Sequence, residues 1–200
     1  MSKIIVVGTL AFDTIETPFG KVERVIGGSA PFASLAAKTK DVECAIISIV
    51  GGDFPKSYLD ILISKKIDIS EVQIKKDGKS FFWSGKYHKN MNKRDTLETQ
   101  VNVLANFDPK IPKNFTNPDI LVLGNLDPNV QLSVVSQFEK KPEFIMLDTM
   151  NFWMEIGLEN LLEIIKKVDL ICINDEEVLQ LSGCDNLDEG VIRILEMGPK

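Results

Sequence analysis

The sequence is short of the residues that build disulfide, zinc and triad chemistry. Its three cysteines, Cys44, Cys172 and Cys184, show no C-x-x-C spacing, and His88 is its single histidine. Neither a disulfide nor a zinc site is expected, and Cys44 and Cys172, which sit in apolar strand-like runs, should pack as small hydrophobes. His88 has no serine, cysteine or acidic partner evident nearby, which argues against a hydrolytic triad. No apolar stretch approaches the ~20 residues needed to span a bilayer. Met1-Ser2-Lys3 leads straight into a short β-like run, too brief for a signal-peptide core, so a reducing cytoplasm is the expected compartment. There is no excess of positive charge: 23 Lys and Arg stand against 29 Asp and Glu, a formal charge of −6. That balance disfavours nucleic acid and anionic membrane as partners. The basic pairs Lys65-Lys66, Lys75-Lys76 and Lys140-Lys141 are scattered and read as solvated faces. Also missing are G-x-x-x-x-G-K-[ST] and a G-x-G-x-x-G after the first strand, the two commonest nucleotide fingerprints.

What is present is a regular rhythm. Lys3 to Gly8 is a β-branched run of the kind buried on both faces in a parallel sheet. Similar runs recur at Cys44 to Val50, Ile120 to Gly124, Phe144 to Asp148 and Leu170 to Asn174. Helical patterns lie between them at Ala30 to Lys38, Pro55 to Lys66, Asn129 to Glu139 and Met154 to Lys167. The last carries a broad apolar stripe of Ile156, Leu158, Leu161, Leu162, Ile164 and Ile165. With 200 residues, 44% hydrophobic, the chain can bury one sizeable core, and the alternation predicts an α/β/α sandwich with a mostly parallel sheet. Phe12 to Val25 and Phe81 to Val103 break the rhythm with alternating apolar and polar residues. They predict a small antiparallel lid made of two insertions, about 12–26 and 80–104, on one domain covering 1–200. Asp188 to Met197 reads as a helix closing in Gly198-Pro199-Lys200, a turn that should lead into a further strand, so the sheet is expected to be cut off in mid-pattern.

Three sets of residues could carry chemistry. Gly27-Gly28 precedes a helix start at Ser29-Ala30; the pair is either a simple turn or a place where a ligand approaches the backbone, with free helix N–H groups beside it. Asp13 lies just past the first strand, where a parallel sheet offers its carboxyl ends to ligands. It could accept a pair of hydroxyl donors from a polyol or close an Asx-turn. Asn174 and Glu177 stand one turn apart at a strand-to-helix junction. They suit a capping box, and equally an arrangement that organises hydrated Mg2+ beside phosphates.

Together these segments resemble the ribokinase-like (PfkB family) carbohydrate and nucleoside kinases. Ile4 to Gly8 with Asp13, Val25 to Ala30, and Gly51-Gly52-Asp53 look like the first signature. Leu147 to Asn151, then Val168-Asp169 and Ile173 to Glu177, look like the middle portion ending in the N-x-x-E motif. The resemblance implies a Rossmann-like body and a β lid that in many members joins two subunits. It implies ATP and Mg2+ as cofactors and phosphorylation of a sugar or nucleoside hydroxymethyl group. Asp13, Gly27 and Gly28 match positions that bind the acceptor, and Asn174 with Glu177 match the phosphate and Mg2+ network, with no direct protein–metal ligand. Two departures stand out. Phe32 occupies a position where many members carry Asn, and the family's later G-A-G-D motif, with its catalytic base, does not occur. The expectation is therefore a kinase portion that recognises an acceptor while the base is expected beyond Lys200. The alternative is a non-catalytic sugar-binding or lid-dimerising module of the same fold.

Overall fold

The computed structural model describes residues 1–91 and 93–200. Its main sheet starts from β1 (Lys3–Val7), which pairs along both edges and is buried at Ile5, Val6 and Val7. β4 (Glu43–Gly51), β5 (Ile67–Lys75), β8 (Ile120–Leu123), β9 (Phe144–Asp148) and β10 (Leu170–Cys172) complete six parallel strands in the order β10-β9-β8-β1-β4-β5. The chain runs from β1 toward β4 on one side and returns to the other side at β8. The loops after β1 and β8 therefore flank the point where strand order reverses, the usual ligand crevice of an open parallel sheet.

Side chains alternate across this sheet and build two cores. Ile5, Val7, Ile47, Leu121, Ile145 and Leu147 point to one face, which is covered by α3 (Pro128–Ser136), α4 (Asn151–Ile156), α5 (Leu158–Ile165), α6 (Asp175–Ser182) and α7 (Leu187–Glu196). Val6, Cys44, Ile46 and Val50 point to the other, under α1 (Ser29–Ala37) and α2 (Lys56–Ser64). On that second face of β9 and β10, Phe144, Leu170 and Cys172 are exposed.

The second sheet is built from β2 (Ala11–Thr17), β3 (Gly20–Gly27), β6 (Phe81–Tyr87) and β7 (Arg94–Gln100), ordered β3-β2-β6-β7. Its outer pairs are antiparallel hairpins, whereas the central β2–β6 pair is parallel. The wholly antiparallel arrangement expected from alternation fails here. Both hairpins leave the body at the same edge, with Ala11 opposite Phe81, so their first strands must run side by side.

Three more local expectations are corrected. The helix expected over Met154 to Lys167 is two helices, because Gly157 (φ −139°, ψ 25°) ends α4 and starts α5; Ile156 and Leu158 are left exposed, outside the core stripe. β5 has no counterpart in the sequence reading. Its apolar residues alternate with charged ones as in a half-wet edge strand, and it joins the parallel sheet beside β4. Cys172 is exposed rather than packed, whereas Cys44 is buried, and all three cysteines are free.

Candidate functional site

The first group of candidate residues is assembled around the loop after β1. Asp13 lies on β2 next to a register shift between Asp13 and Ile15, the kind of bulge that re-aims a side chain. Its carboxylate rests against Gly27, where an added Cβ would come within 2.0 Å of Oδ2. Asp13 is half-buried, and burial alone lifts its pKa to about 6. Gly28 has φ +95°, and a Cβ there would meet the Thr9 carbonyl oxygen at 2.2 Å, so both its torsion and the space around it favour glycine.

Thr9 also ties down the start of α1. The Ser29 N–H donates to Thr9 Oγ1 at 3.2 Å and the Ala30 N–H to the Thr9 carbonyl at 3.1 Å. The helix N–H groups expected to be free for a ligand are therefore partly engaged. Ser29 Oγ packs between Gly8 and Gly124 and is buried without a partner among the described residues.

The second group is assembled at the ends of β8, β9 and β10. Asn174 caps α6: its side-chain oxygen accepts from the Glu177 N–H at 2.9 Å, and Glu177 Oε2 accepts from the Asn174 N–H at 2.9 Å. The capping box is thus present, and it fixes both side chains at the rim of an open cleft. Asp148, Thr149, Asn125 and Arg94 line the same cleft. Burial, and then the nearby Glu177 carboxylate, raise the Asp148 pKa to about 6, against backbone hydrogen bonds from Asn125 and Thr149. Thr149 Oγ1 is buried without a partner among the described residues.

Between the two halves lies a narrow apolar cleft. Thr9, Phe81, Leu104, Asn125, Met150 and Trp153 are among its lining residues, and the Trp153 indole N–H donates to Asn125 Oδ1 at 2.8 Å. Asp13 touches Gly27, with Gly28 next in the chain, and Asn174 and Glu177 are bonded to each other; Asp13, Gly27 and Gly28 are not among the residues lining the cleft of Asn174 and Glu177. Thr9 touches Gly28 and lines the apolar cleft, while Asn125 lines both clefts.

The remaining singled-out residues lie elsewhere. His88 Nε2 is 2.9 Å from Asp95 Oδ2 across β6 and β7, exposed. It does have an acidic partner, which strand pairing rather than sequence proximity supplies. Phe32 is 61% exposed on α1. Sequence reasoning missed Arg94, Asn125, Asp148 and Thr149 as site residues. Asn125 and Asp148-Thr149 carried a usable signal, since each follows or ends a parallel strand at its carboxyl end. Arg94 carried none, because β7 reaches the cleft only through the pairing of the second sheet.

Among the described residues no group of three or more His, Cys, Asp and Glu is arranged to hold a metal directly. Two carboxylates, Asp148 and Glu177, facing an open cleft do fit a hydrated Mg2+, which needs few protein ligands. No described helix is long and apolar enough to cross a membrane.

No protein-family profile matches the chain. A cytidine kinase from Thermococcus kodakarensis is 26% identical over 196 residues, which cover 98% of this chain and 69% of that protein. The nucleoside kinase of Methanocaldococcus jannaschii, an archaeal member of the ribokinase family, superposes with a TM-score of 0.72 at 21% identity. The match covers 96% of this chain and 68% of that one. Aminoimidazole riboside kinase from Salmonella enterica, solved with aminoimidazole riboside and an ATP analogue, gives a TM-score of 0.69 at 13% identity, covering 99% and 68%. The fold is ribokinase-like, and the chain resembles the ribokinase-like nucleoside and carbohydrate kinases.

Proposed function

We propose that residues 1–200 hold the acceptor site, the lid and the N-x-x-E part of a kinase that moves the γ-phosphoryl of ATP to a nucleoside or sugar hydroxymethyl group. The observation that carries this reading is that one group adjoins the loop after β1, through Thr9 against Gly28, while the other lies after β9 and β10, so that the two flank the reversal in strand order from opposite sides. A half-buried carboxylate flanked by two glycines suits hydroxyl donors on one side. Two carboxylates, a partnerless hydroxyl and a guanidinium suit a hydrated metal and phosphates on the other.

Each residue then has a stated task. Asp13 accepts hydrogen bonds from acceptor hydroxyls, and Gly27 and Gly28 let the acceptor reach the backbone. The second sheet lies over the cleft as a lid, and in the same reading can pair two copies. Asp148 and Glu177 hold the waters of Mg2+, and Asn174 fixes Glu177 through the cap. MgATP supplies the transferred group and charge neutralisation at the oxygens involved. None of the 200 residues matches the G-A-G-D motif, so the base is assigned to none of them. The aromatic lining of the central cleft and the 26% identity to a cytidine kinase favour a pyrimidine nucleoside as first acceptor to try. A reducing cytoplasm remains the compartment this reading expects.

Binding calorimetry over cytidine, uridine, adenosine, ribose and fructose, with ADP release followed on the same samples, tests the reading. At least one compound should bind saturably, Asp13→Asn should weaken it about tenfold or more, and no ADP should form. Failure of the whole panel to bind overturns the acceptor site. ADP release by residues 1–200 overturns the assignment of the base elsewhere and points to Asp13.

A further inference from the structure

Arg94 opens β7 in the second sheet, yet its guanidinium reaches across to the main body. Its Nη2 stands 4.0 Å from Glu177 Oε1, a carboxylate whose side chain is only 5% exposed. That separation is too long for a hydrogen bond, so charge holds the pair and the donor fork stays open. No side-chain hydrogen bond links Arg94 to any described residue.

The surroundings show what this fork is short of. Arg94 lines both the cleft of Asp148 and Glu177 and the adjoining one that holds Glu155 and Glu176. Of the described residues lining these two clefts it is the one cation, against four carboxylates. Asp148 and Glu177 face the same cleft as like charges and would repel a phosphate as well. A guanidinium beside them offsets that charge and offers a planar pair of donors that matches phosphate oxygens. Thr149 Oγ1, buried without a partner at the same cleft, adds a further donor facing no described acceptor.

We propose that Arg94 is a phosphate-binding residue delivered by the second sheet, which leaves Glu177 for the phosphates of bound MgATP and thereby couples closure of that sheet to nucleotide occupancy. The inference rests on the phosphate reading of the Asn174–Glu177 cleft and adds to it a residue from outside the main body. Among the described residues β7 pairs only with β6, so anchoring its first residue at the cleft orders the outer edge of the sheet.

MgATP titrated into the wild-type chain, Arg94→Ala and Arg94→Lys at low and high salt tests this, with hydrogen exchange of the β7 amides followed in parallel. Arg94→Ala should bind MgATP roughly tenfold or more weakly, with a shallower salt dependence. Arg94→Lys should fall between, because a point charge keeps the attraction and loses the fork. MgATP should slow β7 exchange in the wild type and leave it unchanged in Arg94→Ala. Equal affinities for wild type and Arg94→Ala, or equal slowing of exchange in both, overturn the Arg94 role and leave the proposed kinase reading standing. A wild-type chain that does not bind MgATP overturns the phosphate reading of the cleft itself, and the Arg94 role with it.

Discussion

Replacing Asp148 by Asn should make the ligand-free protein more stable at pH 8 while weakening the proposed phosphate site. The carboxyl is lifted from its ordinary value of 3.8 to about 6, first by burial and second by Glu177. A shift of about 2 pH units corresponds to ~3 kcal/mol of penalty on the ionised form. The amide retains part of the hydrogen bonding from the Asn125 and Thr149 N–H groups at lower strength, so a net gain of about 1–2 kcal/mol is expected. The sign follows from linkage. Below about pH 4 folded and unfolded chains both hold the proton and the carboxyl costs nothing. Between pH 4 and 6 the unfolded chain ionises first, so folding is progressively disfavoured, and above about pH 6 the full penalty stands. Urea denaturation of the wild type and Asp148→Asn at pH 4 and pH 8 reads this directly. The midpoints should coincide at pH 4, and the variant's should be higher at pH 8 with an unchanged m value. A variant less stable at pH 8, or one displaced equally at both pH values, would refute the electrostatic account of this site.

Asp13, also lifted to about 6 by burial, accepts hydroxyl donors best when ionised. Acceptor affinity should therefore rise between pH 5 and 7 with a midpoint near 6, and calorimetry on Asp13→Asn should show no such rise. Gly28→Ala should cost about 2–3 kcal/mol in thermal denaturation, because φ +95° and the Thr9 carbonyl both oppose it. Gly183→Ala, with φ +67° and open space around it, should cost only about 1 kcal/mol. Asp53 Oδ1 accepts from the Ser80 N–H and hydroxyl, both at 2.8 Å, and Oδ2 pairs with Arg24 at 3.2 Å. Asp53→Ala should thus loosen the root of the second sheet, seen as faster hydrogen exchange at Ser80 and along β6.

The body of the fold was legible because its strands announce themselves. Runs such as Ile-Ile-Val-Val in β1 and Cys-Ala-Ile-Ile-Ser-Ile-Val in β4 make sense only when covered on both faces. The cap of α6 was equally plain, since Asn and Glu at that spacing satisfy each other's backbone donors whatever lies beyond them. β5 was opaque because an edge strand with one wet face lacks a continuous apolar run. The parallel centre of the second sheet was opaque for another reason: alternation fixes which face is dry and says nothing of strand direction. The same limit hid Arg94 and the His88–Asp95 pair, both created by pairing between β6 and β7 or beyond it. The break at Gly157 was opaque because the apolar stripe continues on both sides of it, and one glycine inside a helical pattern does not by itself mark a boundary.

In the proposed kinase the Asp13–Gly27–Gly28 group and the Asp148–Asn174–Glu177 group serve one reaction from either side of the cleft lined by Thr9 and Asn125. Backbone amide shift mapping by NMR with cytidine, then MgATP, then both, tests it most directly. Cytidine should perturb Asp13, Gly27 and Gly28, MgATP should perturb Asp148, Asn174 and Glu177, and Thr9 and Asn125 should respond to both. Perturbations confined to the opposite end of the sheet, around Lys38, Glu43 and Asn114, would contradict it.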